Sequence, residues 1–318
     1  MTNESHTEKS APTPAAVLGL GKAGSSLANS LLDAGENLVA VYNRGEARRA
    51  TFLQRHPTGA QVYADRTEFL QALQSAGVEL LFLAVPDDAL TSLADTLCTE
   101  KWLPPNIIHL SGARGADVLR ALTGRAHTAA FHPLAALSAE RVIPPGALLA
   151  IDAEDPGLRR KLTELAEAIG LEPASVQRGQ HARYHAGAVI SANLSVALLH
   201  RGIELLRQAG IPEDQARRGL AHLLGSTAHA AREHPLPQML TGPVARGDAG
   251  TLQRHLAALD DASTRSLYIT LSQMLVDVAS LPAAQRMRLH DVLQEYSSMD
   301  ADQSHQSPSE SSATSSKK

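Results

Sequence analysis

The chain has 318 residues, 43% hydrophobic and 19% charged, with 29 Lys and Arg against 33 Asp and Glu and a formal net charge of −4. That is enough apolar material for about two domains, which excludes a wholly disordered chain, and the mild acidity speaks against a generally basic nucleic-acid binder. Cys98 is the sole cysteine, so neither an intramolecular disulfide nor a cysteine-based zinc cage is available.

Residues 1–14 mix Thr, Ser, Glu and Pro, lack the basic-then-apolar layout of a secretory leader, and are expected to be unstructured. Short apolar runs follow at Ala15–Leu20, Leu38–Tyr42, Leu80–Val85 and Ile107–Leu110, with further strands expected at Ala129–His132 and Leu148–Ile151. Helical stretches intervene at Ser25–Ala34 and Glu68–Ala76. This alternation predicts βαβ units and a parallel sheet covered by helices over residues 15–153.

Beyond residue 154 the pattern turns helical. Arg159–Ile169 is expected to be a helix stopped by Gly170, and one long helix is expected from Gln180 to Ala209, before Gly210 and Pro212. About thirty residues at ~1.5 Å each make a rod of about 45 Å. Further helices are expected at Glu213–Leu224, Ser226–Glu233, Ala249–Leu259, Thr264–Ala279 and Ala283–Tyr296, which makes residues 154–296 an all-α domain. The weakly polar run Ala186–Leu199 is shorter than the ~18 residues of a membrane span. The Ser-rich end, 297–318, has little to bury and is expected to be disordered. These features together predict a soluble protein of a reducing, cytoplasmic compartment.

Gly19-Leu20-Gly21-Lys22-Ala23-Gly24 joins the first strand to the first helix. A strand, a glycine turn and a helix in that order point to a dinucleotide site: Gly19 for the turn, Gly21 for close approach of a pyrophosphate, Gly24 for helix–strand packing. Where the second strand ends, an acid would accept from a ribose 2′-hydroxyl; this chain instead has Asn43 and Arg44, with Arg48 and Arg49 nearby. That set favours a 2′-phosphate and predicts NADP as cofactor. Val85 and Pro86 after one strand and Ser111 after the next are expected at the same carboxyl edge.

In the helical half, His185 and Asn193 are eight residues apart, about two turns and 80° around an uninterrupted helix. An inward polar pair among Ala and Val is either hydrogen-bonded structure or a reaction site, and both remain open. Leu240–Asp248 is expected to be a loop in which Asp248 caps the next helix and Arg246 is either an anion clamp or simply exposed. His132 is expected to end a strand facing the same cleft, between the sheet's carboxyl edge and the long helix. No metal site is expected, since no HxxxH pair with a matching carboxylate stands out.

Gly19–Gly24, Asn43-Arg44, Ala84–Asp87, Phe131–Leu134, His185–Asn193 and Leu240–Asp248 together resemble a family of predicted NADP oxidoreductases. In that family a Rossmann-like domain precedes a helical domain of unassigned function. More distantly the chain is similar to the 6-phosphogluconate dehydrogenase-like superfamily, which includes ketopantoate reductase, pyrroline-5-carboxylate reductase and prephenate dehydrogenase. The resemblance implies reduction of a small carbonyl or imine metabolite, ketopantoate being the first named candidate, and a homodimer formed through the helical domain. Ketopantoate reductases carry a Lys followed at four and eight positions by Asn; aligned on Asn193, this chain has His185 and Val189 there. On that basis His185 is expected to donate the proton, Asn193 to orient substrate and Arg246 to bind an anionic group. The missing Lys and Asn keep a second expectation alive, an NADP-binding sensor or scaffold without turnover.

Overall fold

The computed structural model describes residues 12–305. The chain separates into two compact units, Met1–Leu194 and Ser195–Lys318.

In the first unit, β1 (Ala15–Leu18), α1 (Lys22–Asp33), β2 (Leu38–Tyr42), α2 (Glu46–Arg55), β3 (Gln61–Tyr63), α3 (Arg66–Ser75), β4 (Leu80–Leu83), α4 (Leu90–Cys98), β5 (Asn106–His109), β6 (His127–Pro133), β7 (Leu148–Ala153), α5 (Pro156–Ala168), β8 (Glu172–Ser175) and α6 (His181–Ser191) follow in order. The eight strands form one sheet in the order β3-β2-β1-β4-β5-β6-β7-β8. All pairs are parallel except β6 with β7. Successive side chains of a strand face opposite ways, and both faces are buried. Ala15, Val17, Leu80 and Phe82 therefore join one core with α1 and α5, while Ala16, Leu18, Leu81 and Leu83 join another with α3 and α4. Strand order reverses at β1, whose neighbours are β2 and β4. At such a switch point the following connections leave on opposite faces, and a crevice opens at the carboxyl ends of the strands.

Several expectations change. β3 and β8 were not foreseen: β8 carries Pro173, which an edge strand tolerates because one side of its backbone needs no partner. The helical region therefore begins after Ser175 and not at residue 154, with α5 and β8 belonging to the sheet unit. The polar helix α2, which buries only Phe52, and α4 were also missed. Pro14, expected in a loose end, accepts hydrogen bonds from Glu79 N and Leu80 N; residues 1–11 of that expectation lie outside the described residues.

The long expected helix is present but bent. Helix α6 ends at Ala192 and α7 (Asn193–Gln208) resumes at once. Gly210 then follows with a φ of 90°, the left-handed stop expected of it. Taken together, His181–Gln208 is a 28-residue helical stretch containing an 18-residue window of mean hydropathy 1.3, long and apolar enough by length and composition to cross a membrane. The run expected from sequence, Ala186–Leu199, is shorter because His200 and Arg201 interrupt it, whereas an average over a window runs on across them.

In the second unit, α8 (Glu213–Glu233) runs through Gly225 without the predicted break, and is followed by α9 (Leu236–Met239), α10 (Gly242–Ala245), α11 (Ala249–Ala257), α12 (Ala262–Val278) and α13 (Ala283–His305). Val244, Leu252, Leu256, Ile269, Val276, Leu289 and Leu293 form its core. Helix α13 continues through His305 into the segment expected to be disordered, since no Gly or Pro interrupts it before Pro308; residues 306–318 lie outside the described residues.

Candidate functional site

The turn after β1 is built from glycines with different duties. Gly19 has a φ of 110°, and a Cβ there would lie 2.3 Å from Ala84 O. A Cβ on Gly24 would lie 1.9 Å from Gly19 O. Both positions are closed by the protein's own backbone. Gly21 differs: its Cβ would meet only Arg48 Nη1, at 3.6 Å, so the missing side chain leaves open space. As N-cap of α1, Gly21 also has no side chain to satisfy the first-turn amides. An open glycine before uncapped amides fits an anionic diphosphate.

The crevice beside this turn measures about 570 Å³, and its walls include Gly19, Gly21, Asn43, Arg44, Val85 and Pro86. Arg48 and Arg66 also reach it. Asn43 turns out to be a staple: its Oδ1 accepts from Leu20 N (3.1 Å) and its Nδ2 donates to Gly45 O (3.2 Å). Arg48 donates to Leu20 O, and Arg49 donates to the carbonyls of Asn43 and Arg44. The Arg44 side chain is exposed and makes no hydrogen bond or ion pair among the described residues; Arg66, half-buried on the same wall, also makes none, so these two guanidinium groups are left for a ligand. Lys22 faces a neighbouring hollow between α1 and α2 instead, and Ala23 packs against the core.

Beyond β5 a short loop is tied down by buried groups. Ser111 N donates to His109 Nδ1 (3.2 Å), so Nε2 carries the ring proton and donates to Gly115 O (3.0 Å). Burial pulls the His109 pKa below its ordinary value, which keeps that neutral tautomer. Ser111 Oγ accepts from Arg114 N, and Asp152 Oδ2 accepts from Ala116 N (3.0 Å). Ser111 is therefore buried and occupied, and it is absent from the crevice wall. Asp152 also pairs with His181 Nε2 at 3.5 Å, while His181 Nδ1 is buried without a partner.

His132 ends β6 at the sheet's carboxyl edge, as expected. Its Nδ1 shares a 2.9 Å hydrogen bond with Tyr184 Oη on α6. The His185 ring stands edge-on to it, with centroids 6.1 Å apart, and His185 Nδ1 is buried without a partner. Burial first, and then the charge of His185, lower the His132 pKa to about 4; burial raises that of Tyr184 to about 12.

The structure thus brings His132 and His185 together but separates the expected pair. Asn193 opens α7 beyond the bend and is exposed, so it is not an inward partner of His185 on one straight helix. Arg246 is exposed at the end of α10, a one-turn helix inside the expected loop, and Asp248 caps α11 by accepting from Thr251 N. Sequence reasoning missed Tyr184, His109, His181 and Asp152. One signal was present: His181 and His185 are spaced as HxxxH, and Asp152 supplies a carboxylate beside the first. Among the described residues no three ligating side chains gather closely enough to hold an ion.

Residues 2–133 match the Rossmann-like domain family, and residues 147–275 match a domain of unknown function, DUF2520. No curated protein matches the sequence. Among solved structures, a candidate NADP oxidoreductase from Bacteroides fragilis is 24% identical with a TM-score of 0.63, covering 83% of this chain and 97% of that one. A pyrroline-5-carboxylate reductase from Coxiella burnetii is 13% identical with a TM-score of 0.56, covering 90% and 98%. A reductive aminase from Aspergillus terreus, solved with NADPH, is 16% identical with a TM-score of 0.52, covering 91% and 94%. These are likenesses of fold. The chain joins a Rossmann-like domain to a DUF2520 domain.

Proposed function

We propose that the chain is an NADPH-dependent reductase of a small carbonyl or imine compound. The observation that carries this reading is the crevice at the strand-order reversal, where Gly21 leaves open space before uncapped amides and Arg44 stands unpaired. No carboxylate occupies the end of β2 to repel a 2′-phosphate, and Arg48 and Arg66 line the same wall. Three fold neighbours carry reductase, aminase or NADP oxidoreductase descriptions, which supports the class of reaction. A bound reduced nicotinamide supplies hydride; the protein orients the substrate and supplies a proton. Ketopantoate is the first substrate to try, followed by other keto acids and cyclic imines.

The test is a calorimetric titration of the full chain with NADPH and NADH, followed by an NADPH-oxidation screen over those compounds. Preferential NADPH binding with steady turnover is the expected result. Tight NADPH binding without turnover of any compound would favour a sensor, and no binding would end the reading.

We also propose that the helical half pairs with a second copy of the chain. Ile190, Leu194, Val196, Leu223, Met274 and Met287 are each more than half exposed, an unusual density of apolar surface. Lipid is the poorer cover, because His181, Arg183, His185, Arg201 and Glu204 interrupt the same helical stretch.

A further inference from the structure

Two aromatic side chains, 52 positions apart in sequence, meet at the carboxyl edge of the sheet. His132 Nδ1 and Tyr184 Oη lie 2.9 Å apart with their rings almost perpendicular, at 89°. Backbone clamps the imidazole from the other side: a Cβ on Gly112 would fall 2.6 Å from both Cε1 and Nε2 of His132. The ring therefore has one orientation, and the phenol is aimed by it. Because β6 runs parallel to β5, this pair sits at the same edge of the sheet as the glycine turn and Val85-Pro86.

We propose that Tyr184 Oη delivers the proton in the reaction, and that His132 is the positioning residue that orients it and resupplies it through Nδ1–H. The inference rests on the reductase reading above. A phenol carries a proton across the working pH range, and burial holds this one up to about 12. An imidazole must take a second proton before it can act as an acid. His185 stands edge-on to the His132 ring with its Nδ1 buried and without a hydrogen-bond partner, whereas Tyr184 Oη already has a defined one. His132, held neutral, has one N–H and one lone pair, which is what a relay requires. When a carbonyl or imine carbon accepts hydride, its oxygen or nitrogen takes the Tyr184 Oη proton. The phenolate takes the Nδ1 proton of His132 as a solvent acid protonates Nε2, and the ring returns to its Nδ1–H form by releasing the Nε2 proton to solvent as Nδ1 regains one. One solvent proton is consumed for each hydride transferred.

The scheme requires a definite tautomer. Nδ1–H of His132 donates to Tyr184 Oη, which leaves the phenolic proton for substrate. The experiment is long-range 15N–1H correlation on 15N-histidine-labelled full chain, with His132→Gln assigning the signal. The expected spectrum has His132 protonated at Nδ1 and bare at Nε2, and Tyr184→Phe lets it revert to Nε2–H. A second arm follows NADPH oxidation with ketopantoate, pyruvate and 1-pyrroline. For any probe that is turned over, Tyr184→Phe is expected to lose ~10²–10⁴ in kcat with NADPH affinity unchanged. His132 found as Nε2–H in the wild type overturns the proposal whether or not a probe is turned over. So does Tyr184→Phe with normal turnover, with or without loss of turnover in His185→Ala, and both outcomes leave the reductase reading standing. Failure of the wild type to bind NADPH overturns that reading, and the proposal with it.

Discussion

At the scale of single residues, neighbours in the sequence have divided their duties. Asn43, Arg48 and Arg49 spend their polar groups on the carbonyls and amides of the two turns, leaving Arg44 free at the crevice. Arg44→Ala is therefore expected to weaken NADPH binding by ~1.5–3 kcal/mol, the worth of a charged hydrogen bond, with little change for NADH. Equal losses for both cofactors in a calorimetric titration would remove Arg44 from the 2′-phosphate site. His132 supports a pH prediction. Its folded pKa of about 4 lies below the ordinary histidine value, so between those two pH values the unfolded chain binds a proton that the folded chain does not. Stability present near pH 7 should be lost as the pH falls through that window, and His132→Gln should flatten this part of the plot of Tm against pH. An unchanged slope would mean that His132 is not held neutral by the fold.

At the scale of elements, the strand–turn–helix unit distinguishes glycines that the fold needs from one that a ligand needs. Gly24→Ala drives a methyl against Gly19 O and the Ala84 side chain, an overpacking of ~1–3 kcal/mol or more, and should lower Tm accordingly. Gly21→Ala meets only Arg48 Nη1 at an ordinary distance and, with a φ of −72°, suffers no backbone strain. Its Tm should stay near the wild-type value while NADPH affinity falls. Stability lost at Gly21, with affinity kept, would assign that glycine to the fold alone. The bend at Ala192 acts at the same scale: it leaves His185 with the sheet unit on α6 and lets α7 start afresh at Asn193.

At the scale of the molecule, the two units bury their chains unequally. The sheet unit has two full cores, whereas α7 buries no residue and α8 buries only Ala216. Light scattering on the purified chain is expected to give twice the 33.7 kDa chain mass. A monomer would leave the exposed apolar helices needing another cover. Truncation after Tyr296 removes residues of which Ser297, Ser298 and Met299 are exposed on α13. It should move Tm by no more than a degree or two, since changes without buried partners are nearly neutral. A large fall would show that the end of the chain packs on the body or on a second copy.

Features whose physics is local could be read directly. The turn Gly19–Gly24, the runs that became β1, β2 and β4, the stops at Gly170 and Gly210, and the cap at Asp248 each depend on a handful of adjacent residues. Steric freedom, alternation and capping act over that distance. The short strands β3 and β8 were illegible because three or four residues carry too little pattern, and their pairing energy comes from neighbours far along the chain. The long helix was legible, while its bend at Ala192 was not, because helix-forming residues line both sides. The ring cluster lay wholly beyond sequence reasoning. His132 meets Tyr184 across 52 residues, and Asp152 meets Ala116 across 36. Only the order in which β5, β6 and β7 pair, and the return of α6 to that edge, decides that these groups touch. Composition and periodicity therefore determined the sheet, the glycine turn and the helical half, while closure of the long connections brought the polar groups together at one edge of the sheet.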